Sequence, residues 1–204
     1  MMFEHVIYSC AIAIFVGMVY HRVTGRDYSW IIILCAFAPD IDVAANTVLK
    51  NFGFTLLFEG HKIYHGAFHN IAIMVIFGIA FAFLVHPFGI KFFDALFFSM
   101  IGFAAHLFED ALAYKSAYMF LWPFSSKIMG IGLLPEILSE ENYSYDFFRI
   151  ANGEVLVIGL LLLLVAIIIR TYLDGPSWIR YYMPDILYEK FFRKYVVSSG
   201  MHER

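Results

Sequence analysis

Residues Tyr28–Leu49 read YSWIIILCAFAPDIDVAANTVL, an apolar run of membrane-spanning length with two aspartates in its second half. At about 1.5 Å rise per residue, Asp40 lies roughly 18 Å along a helix begun at Tyr28. A carboxylate at that depth costs roughly 2.5–3.5 kcal/mol on insertion scales, and two cost about twice as much if lipid surrounds them. Something has to offset that cost: a water-filled cavity, a cation, or both. Pro39 removes a backbone donor and favours a break in front of the aspartates. Asp40 can then cap a short second helix. A capping role accounts for Asp40 and leaves Asp42 over.

The rest of the chain fits a bilayer. Of 204 residues, 61% are hydrophobic and 15% charged, and the mean hydropathy is +0.73. Soluble domains carry roughly 25% charged residues. The 23 Phe and 13 Tyr suit a membrane and its interfaces. The net charge of −3 and the absence of a basic block argue against a nucleic-acid partner. Five stretches reach or approach spanning length: 6–20, 28–49, 67–85, 92–113 and 155–173. The sequence therefore predicts an all-α, multi-pass integral membrane bundle of about five transmembrane helices. The start, MMFEHVIYSCAIAIFVG, lacks a basic n-region and a small-residue cleavage site, so it reads as a retained first helix. Cys10 and Cys35 lie in apolar segments without ligand spacing and read as small core residues. The fifth stretch reads as a plain anchor.

Residues 1–175 read as one transmembrane domain carrying the site, and 176–204 as an amphipathic tail. The tail mixes Trp, Tyr and Phe with Lys and Arg, which suits a helix on the membrane surface. Between the fourth and fifth stretches, FLWPFSSKIMGIGLLP reads as an interfacial or re-entrant piece, and EILSEENYSYD as a solvated loop. With five crossings, nine Lys and Arg fall on the C-terminal side and five on the other. That bias predicts a cytoplasmic C-terminus, with the opposite face extracytoplasmic.

The other out-of-place polar groups favour that opposite face. HKIYHGAFHN, His61–Asn70, carries histidines at 61, 65 and 69 beside the third stretch. His106 and Asp110 are four apart and share a helix face near the end of the fourth. His5 opens the first. Singly, each has a bland reading: interfacial histidines, or a hydrogen-bonded His–Asp pair. Together they converge with Asp40 and Asp42, while His21, His86 and His202 fall elsewhere. Nitrogen plus carboxylate without thiolate suits zinc, manganese or iron. Seven candidates (His5, Asp40, Asp42, His65, His69, His106 and Asp110) exceed one tetrahedral ion's needs and leave room for two. Two-metal sites activate water for displacement at phosphorus. No Gly-x-Ser-x-Gly elbow, P-loop or dinucleotide fingerprint occurs.

At these residues the sequence resembles the membrane-bound metal-dependent hydrolase family, described in bacteria as LexA-binding, inner-membrane-associated hydrolases. The matching elements are His5, PDID at Pro39–Asp42, GAFHN at Gly66–Asn70, GFAAHLFED at Gly102–Asp110, and Trp122-Pro123. Tyr64 stands where the family has the first histidine of its third motif, and His65 where it has arginine. The order Asp, His, His-x-x-x-Asp is also similar to the zinc-dependent phospholipase C group, although the later His-x-x-x-Glu of that group does not occur. The resemblance implies hydrolysis of a phosphoester, a lipid among the candidates, by metal-activated water. Asp40, Asp42, His69, His106 and Asp110 would be the main ligands, His5 and His65 secondary ones. Glu109 would move protons, or is merely a solvated neighbour of Asp110. The competing expectation is a non-enzymatic metal- or proton-binding membrane protein, a transport or structural subunit. Against conduction, the half of each segment near the other face reads as poor in ionisable residues.

Overall fold

A computed structural model of the chain describes residues 2–53, 57–58, 61–62, 66–114, 118–132, 153–183 and 185–191. The elements are α1 (Met2–Thr24), α2 (Trp30–Leu34), α3 (Ile41–Asn51), a two-residue pair β1 (Leu57–Phe58) and β2 (His61–Lys62), α4 (Ile71–Val85), α5 (Phe92–Ala113), α6 (Gly153–Asp174) and α7 (Asp185–Phe191). The protein is an all-α membrane bundle, and among the described residues four helices are long and apolar enough to cross a bilayer.

The second stretch does not form a fifth long helix. It divides into α2, a 3-10 turn at Cys35–Phe37, a bend at Ala38–Asp40, and then α3. Pro39 cannot donate to a continuing helix, and Asp40 stands at the N-cap of α3 without a side-chain cap bond. The divided segment still runs from one end of the bundle to the other. Ser29 lies beside Tyr182 at one end, and Asp40 faces His69 and His106 at the other.

Cross-links fix the helix directions. Tyr8 donates to the Val155 carbonyl at the start of α6 (3.1 Å), and Arg22 pairs with Asp174 at its end (3.0 Å). α1 and α6 therefore run parallel. His5 meets Glu109 and Tyr20 meets Asp94, so α5 runs antiparallel to α1. α4 and α5 form a hairpin through a 3-10 turn at His86–Phe88, closed by Gly89 at φ 85°. The core between the two ends is apolar: Ala13, Ile31, Ile32, Ala95, Phe98 and Phe103 are fully buried. Much of α6 instead exposes Leu and Ile, as a lipid-facing helix does.

α5 approaches α2 at Gly102. A Cβ there would sit 2.7 Å from the Ile32 carbonyl oxygen and 2.8 Å from Cys35 Cβ. Backbone cannot yield as a side-chain tip can. Gly102→Ala is expected to destabilise the bundle by about 1–3 kcal/mol. The measurement is the thermal unfolding midpoint in detergent, with Gly153→Ala, which meets nothing within 4 Å, as control. Equal midpoints would sink this packing.

The plain-anchor reading of the fifth stretch needs correction one residue past its apolar run. Arg170 of α6 is fully buried and pairs with Asp27. Asp27 also accepts from Ser29 N–H (2.8 Å) and Ser29 Oγ (2.6 Å). Trp178 and Tyr182, in the 3-10 turn Pro176–Tyr182, lie beside the Arg170 guanidinium. Trp178 is buried against Ile14 and Ala166. This first part of the tail thus packs into the bundle rather than lying outside it. Asp94 of α5 is buried as well, accepting from Tyr20 (2.7 Å) and twice from Arg26 (2.6 and 3.0 Å). Ionisable groups therefore do occupy the end opposite the aspartates of Pro39–Asp42, among them the pairs Arg170–Asp27 and Arg26–Asp94.

Candidate metal centre

His106 sits near the C-terminal end of α5, four residues before Asp110. Its Nδ1 is 2.6 Å from the Ala36 carbonyl, in the 3-10 turn of the divided segment. A carbonyl can only accept, so Nδ1 carries the hydrogen, and Nε2 of the neutral ring keeps its lone pair. That Nε2 is buried and has no hydrogen-bond partner among the described residues. It lies 3.4 Å from Asp110 Oδ2 and 3.7 Å from Asp40 Oδ1. His69 Nε2 approaches the same two oxygens at 3.4 and 3.5 Å.

Well-formed charge-assisted hydrogen bonds sit at about 2.7–2.9 Å. Ligand atoms on a tetrahedral ion with bonds of about 2.0–2.2 Å are instead roughly 3.3–3.6 Å apart. The cluster has the second spacing. Among the described residues, two triads meet the geometric requirement for a metal: His5, Asp40 and His106, and His69, His106 and Asp110. Both use His106, whose single available lone pair joins them around one position.

His5 enters from the first turns of α1. Its ring stacks on His106 with centroids 3.8 Å apart, and Nδ1 pairs with Glu109 Oε2 at 2.6 Å. Its Nε2 is thereby turned towards Asp110 Oδ1, at 3.7 Å. Glu109 is buried rather than solvated. Asp42 lies outside both triads. Its Oδ2 accepts from the N–H groups of Gly66 (2.8 Å) and Phe68 (3.4 Å), and stands 3.6 Å from His69 Nδ1. A carboxylate behind a histidine is the arrangement that orients metal-bound imidazoles. Asp40, with 17% of its side chain accessible, is more exposed than His69, His106 or Asp110.

Of the sequence candidates, His5, Asp40, His69, His106 and Asp110 come together, with Asp42 and Glu109 immediately behind them. His65 lies outside the described residues, as do His202 and the acidic loop. The backbone of His61 lies in β2. His86 is at the other end, its Nδ1 3.2 Å from the Ile90 carbonyl, and His21 stands there beside Tyr181. Three participants escaped the sequence reading. Glu4 is fully buried next to His5; the Ala36 carbonyl holds His106; Tyr118 packs its ring on His69 at 4.2 Å. Position 4 could have been flagged as an acid on the first turn of an apolar helix. A main-chain carbonyl leaves no trace in residue identity.

Apolar helices enclosing a buried histidine–aspartate set at one end make this a multi-pass α-helical membrane protein with a candidate metal centre. Within that class, the chain belongs to the YdjM inner membrane protein family, whose model matches residues 1–177. Comparison with curated proteins and with solved structures returned no match.

Proposed function

We propose that this inner membrane protein is a metal-dependent hydrolase acting on a phosphoester, with a lipid phosphoester among the candidate substrates. The observation that carries the reading is the spacing around His106 Nε2, with nitrogen and carboxylate oxygens at 3.4–3.7 Å in a buried end of the bundle. The donor set fits zinc, with manganese or iron as alternatives. His69, His106 and Asp110 would hold the ion, with Asp40 or His5 exchanging at the remaining position, which is where a water would bind. The shared lone pair of His106 favours one ion over two. When bound, a divalent ion lowers the pKa of a coordinated water and polarises the ester oxygen.

The remaining residues serve that position. Glu109 directs His5, and Asp42 ties His69 to the Gly66–Phe68 turn. These are positioning roles, and the assignment moves Glu109 away from carrying protons. Asp40, the more open carboxylate, is the group that meets an incoming substrate. The LexA-binding and hydrolase character of the family resembled in sequence agrees with this reading but does not carry it. A conducting role is disfavoured, because fully buried Ile31, Ile32, Phe98 and Phe103 separate this cluster from the paired charges at the other end.

Purification without chelator, followed by elemental analysis, is expected to find about one equivalent of transition metal per chain. Phosphodiester and phosphomonoester lipids in mixed micelles are the first substrates to assay. No metal after re-supply of zinc and manganese would overturn the proposal. For orientation, we place the centre on the extracytoplasmic face. A cysteine at Ser139, in the acidic loop, should react with an impermeant thiol reagent in intact cells. Labelling only after lysis would reverse the orientation.

A further inference from the structure

The first turn of α4 is where His69 is held, and its donors have an unusual set of partners. Four N–H groups at the start of a helix have no intrahelical acceptor. In this bundle they are satisfied in sequence. Asn70 N–H donates to Phe68 O (2.8 Å) and Ile71 N–H to Phe120 O (2.9 Å). Ala72 N–H reaches Trp122 O (3.4 Å), and Ile73 N–H donates to Asn70 Oδ1 (3.0 Å). Two of the four acceptors thus come from residues 118–122, some fifty positions along the chain. The same segment is tied back by Met129 N–H to Tyr118 O (3.1 Å), while Ile131 N–H reaches Ala111 O at the end of α5 (2.6 Å).

Tyr118 supplies the side-chain half of this contact. Its ring lies on the His69 ring and also against Gly66, where a Cβ would fall well inside van der Waals contact with the Tyr118 ring carbons. Gly66 has φ 100°, a conformation that side-chain-bearing residues rarely adopt. Its own N–H is held by Asp42. Gly66 is therefore needed twice, for the turn and for the ring that covers it.

We infer that Tyr118–Trp122 is a strap that fixes His69 for metal binding, with Tyr118 as a positioning residue and Gly66 as the gap it fills. The inference rests on the metal-centre reading for its effect on affinity, but not for its effect on the His69 ring. Backbone bonds from the strap set the start of α4, and the ring of Tyr118 limits the rotation of the imidazole two residues before that start. Because the ring face makes the contact, phenylalanine can replace tyrosine here and a small side chain cannot.

The test uses the full-length protein in detergent, titrated with Co²⁺ and followed by its visible d–d spectrum. Carbethoxylation of His69 by diethyl pyrocarbonate, read by peptide mass spectrometry without added metal, is the second readout. Tyr118→Phe is expected to keep the wild-type spectrum and affinity. Tyr118→Ala should weaken Co²⁺ about ten- to hundredfold, alter the spectrum and speed His69 modification. Gly66→Ala should have a similar effect, and Gly66→Ala/Tyr118→Ala should be no worse than the weaker single variant, because both singles disturb one contact. Should Tyr118→Ala not fold, Tyr118→Leu replaces it. If wild type binds no Co²⁺, the metal-centre reading fails, and the strap is judged by His69 modification alone. Tyr118→Ala matching wild type in His69 modification, and in Co²⁺ binding where that exists, overturns the strap.

Discussion

His106→Ala is expected to lower metal affinity about a hundred- to a thousandfold, and to abolish any hydrolysis that depends on it. The imidazole belongs to both candidate triads found among the described residues, so neither survives its loss. Four ligands share roughly 10–16 kcal/mol in zinc-binding peptides, or about 2.5–4 kcal/mol each. Such a loss is roughly a hundred- to a thousandfold in affinity. Removing a carboxylate that only orients a ligand should cost less. Glu109→Gln, behind His5, is expected to weaken binding about ten- to hundredfold. His86→Ala, at the other end, should hold metal as wild type does. Isothermal titration with zinc on folded, monodisperse protein measures all three. His106→Ala and His86→Ala binding equally would reduce the cluster to buried structural histidines.

Arg170→Met is expected to destabilise the bundle by about 3–5 kcal/mol. The guanidinium is fully buried among α1, α6 and the turn that follows α6, with Asp27 as its close ionic partner and Asp174 Oδ2 3.6 Å from its Nε. Removing one partner leaves the other charge desolvated and uncompensated. Arg170 also donates to Tyr182 Oη (3.1 Å), whose hydroxyl lies 2.5 Å from Ser29 Oγ, so the damage spreads to the packed part of the tail. The double variant Arg170→Met/Asp27→Asn should recover part of the loss, since asparagine keeps an acceptor for Ser29 and carries no charge. Thermal unfolding in detergent reads both. A stable Arg170→Met protein would mean that water reaches this pair. While folded, Arg170→Met should still take up metal, because the apolar layer of Phe98 and Phe103 separates the two ends.

The membrane class, the break at Pro39 and most of the candidate ligands were legible in residue order. Hydropathy is a local sum, and an aspartate inside an apolar run is visible without coordinates. Spacing along a helix placed His106 and Asp110 on one face, and counting crossings brought His5, His69 and Asp40 to the same end. Tertiary structure alone separated the residues that face one another in the cluster from those that stand behind them. Asp40 and Asp42 are two residues apart and chemically identical. One faces His69 and His106; the other is taken up by the amides of Gly66 and Phe68. Glu109 and Asp110 are adjacent, yet the helix turns them about 100° apart, one behind His5 and the other towards His106. Arg170 looked like the edge of an anchor, because its partner lies 143 positions away. Residue type and spacing determined which chemistry could assemble in this membrane. Which oxygen faces which nitrogen depended on backbone carbonyls, on glycine gaps and on contacts between distant segments, none of which residue identity encodes locally.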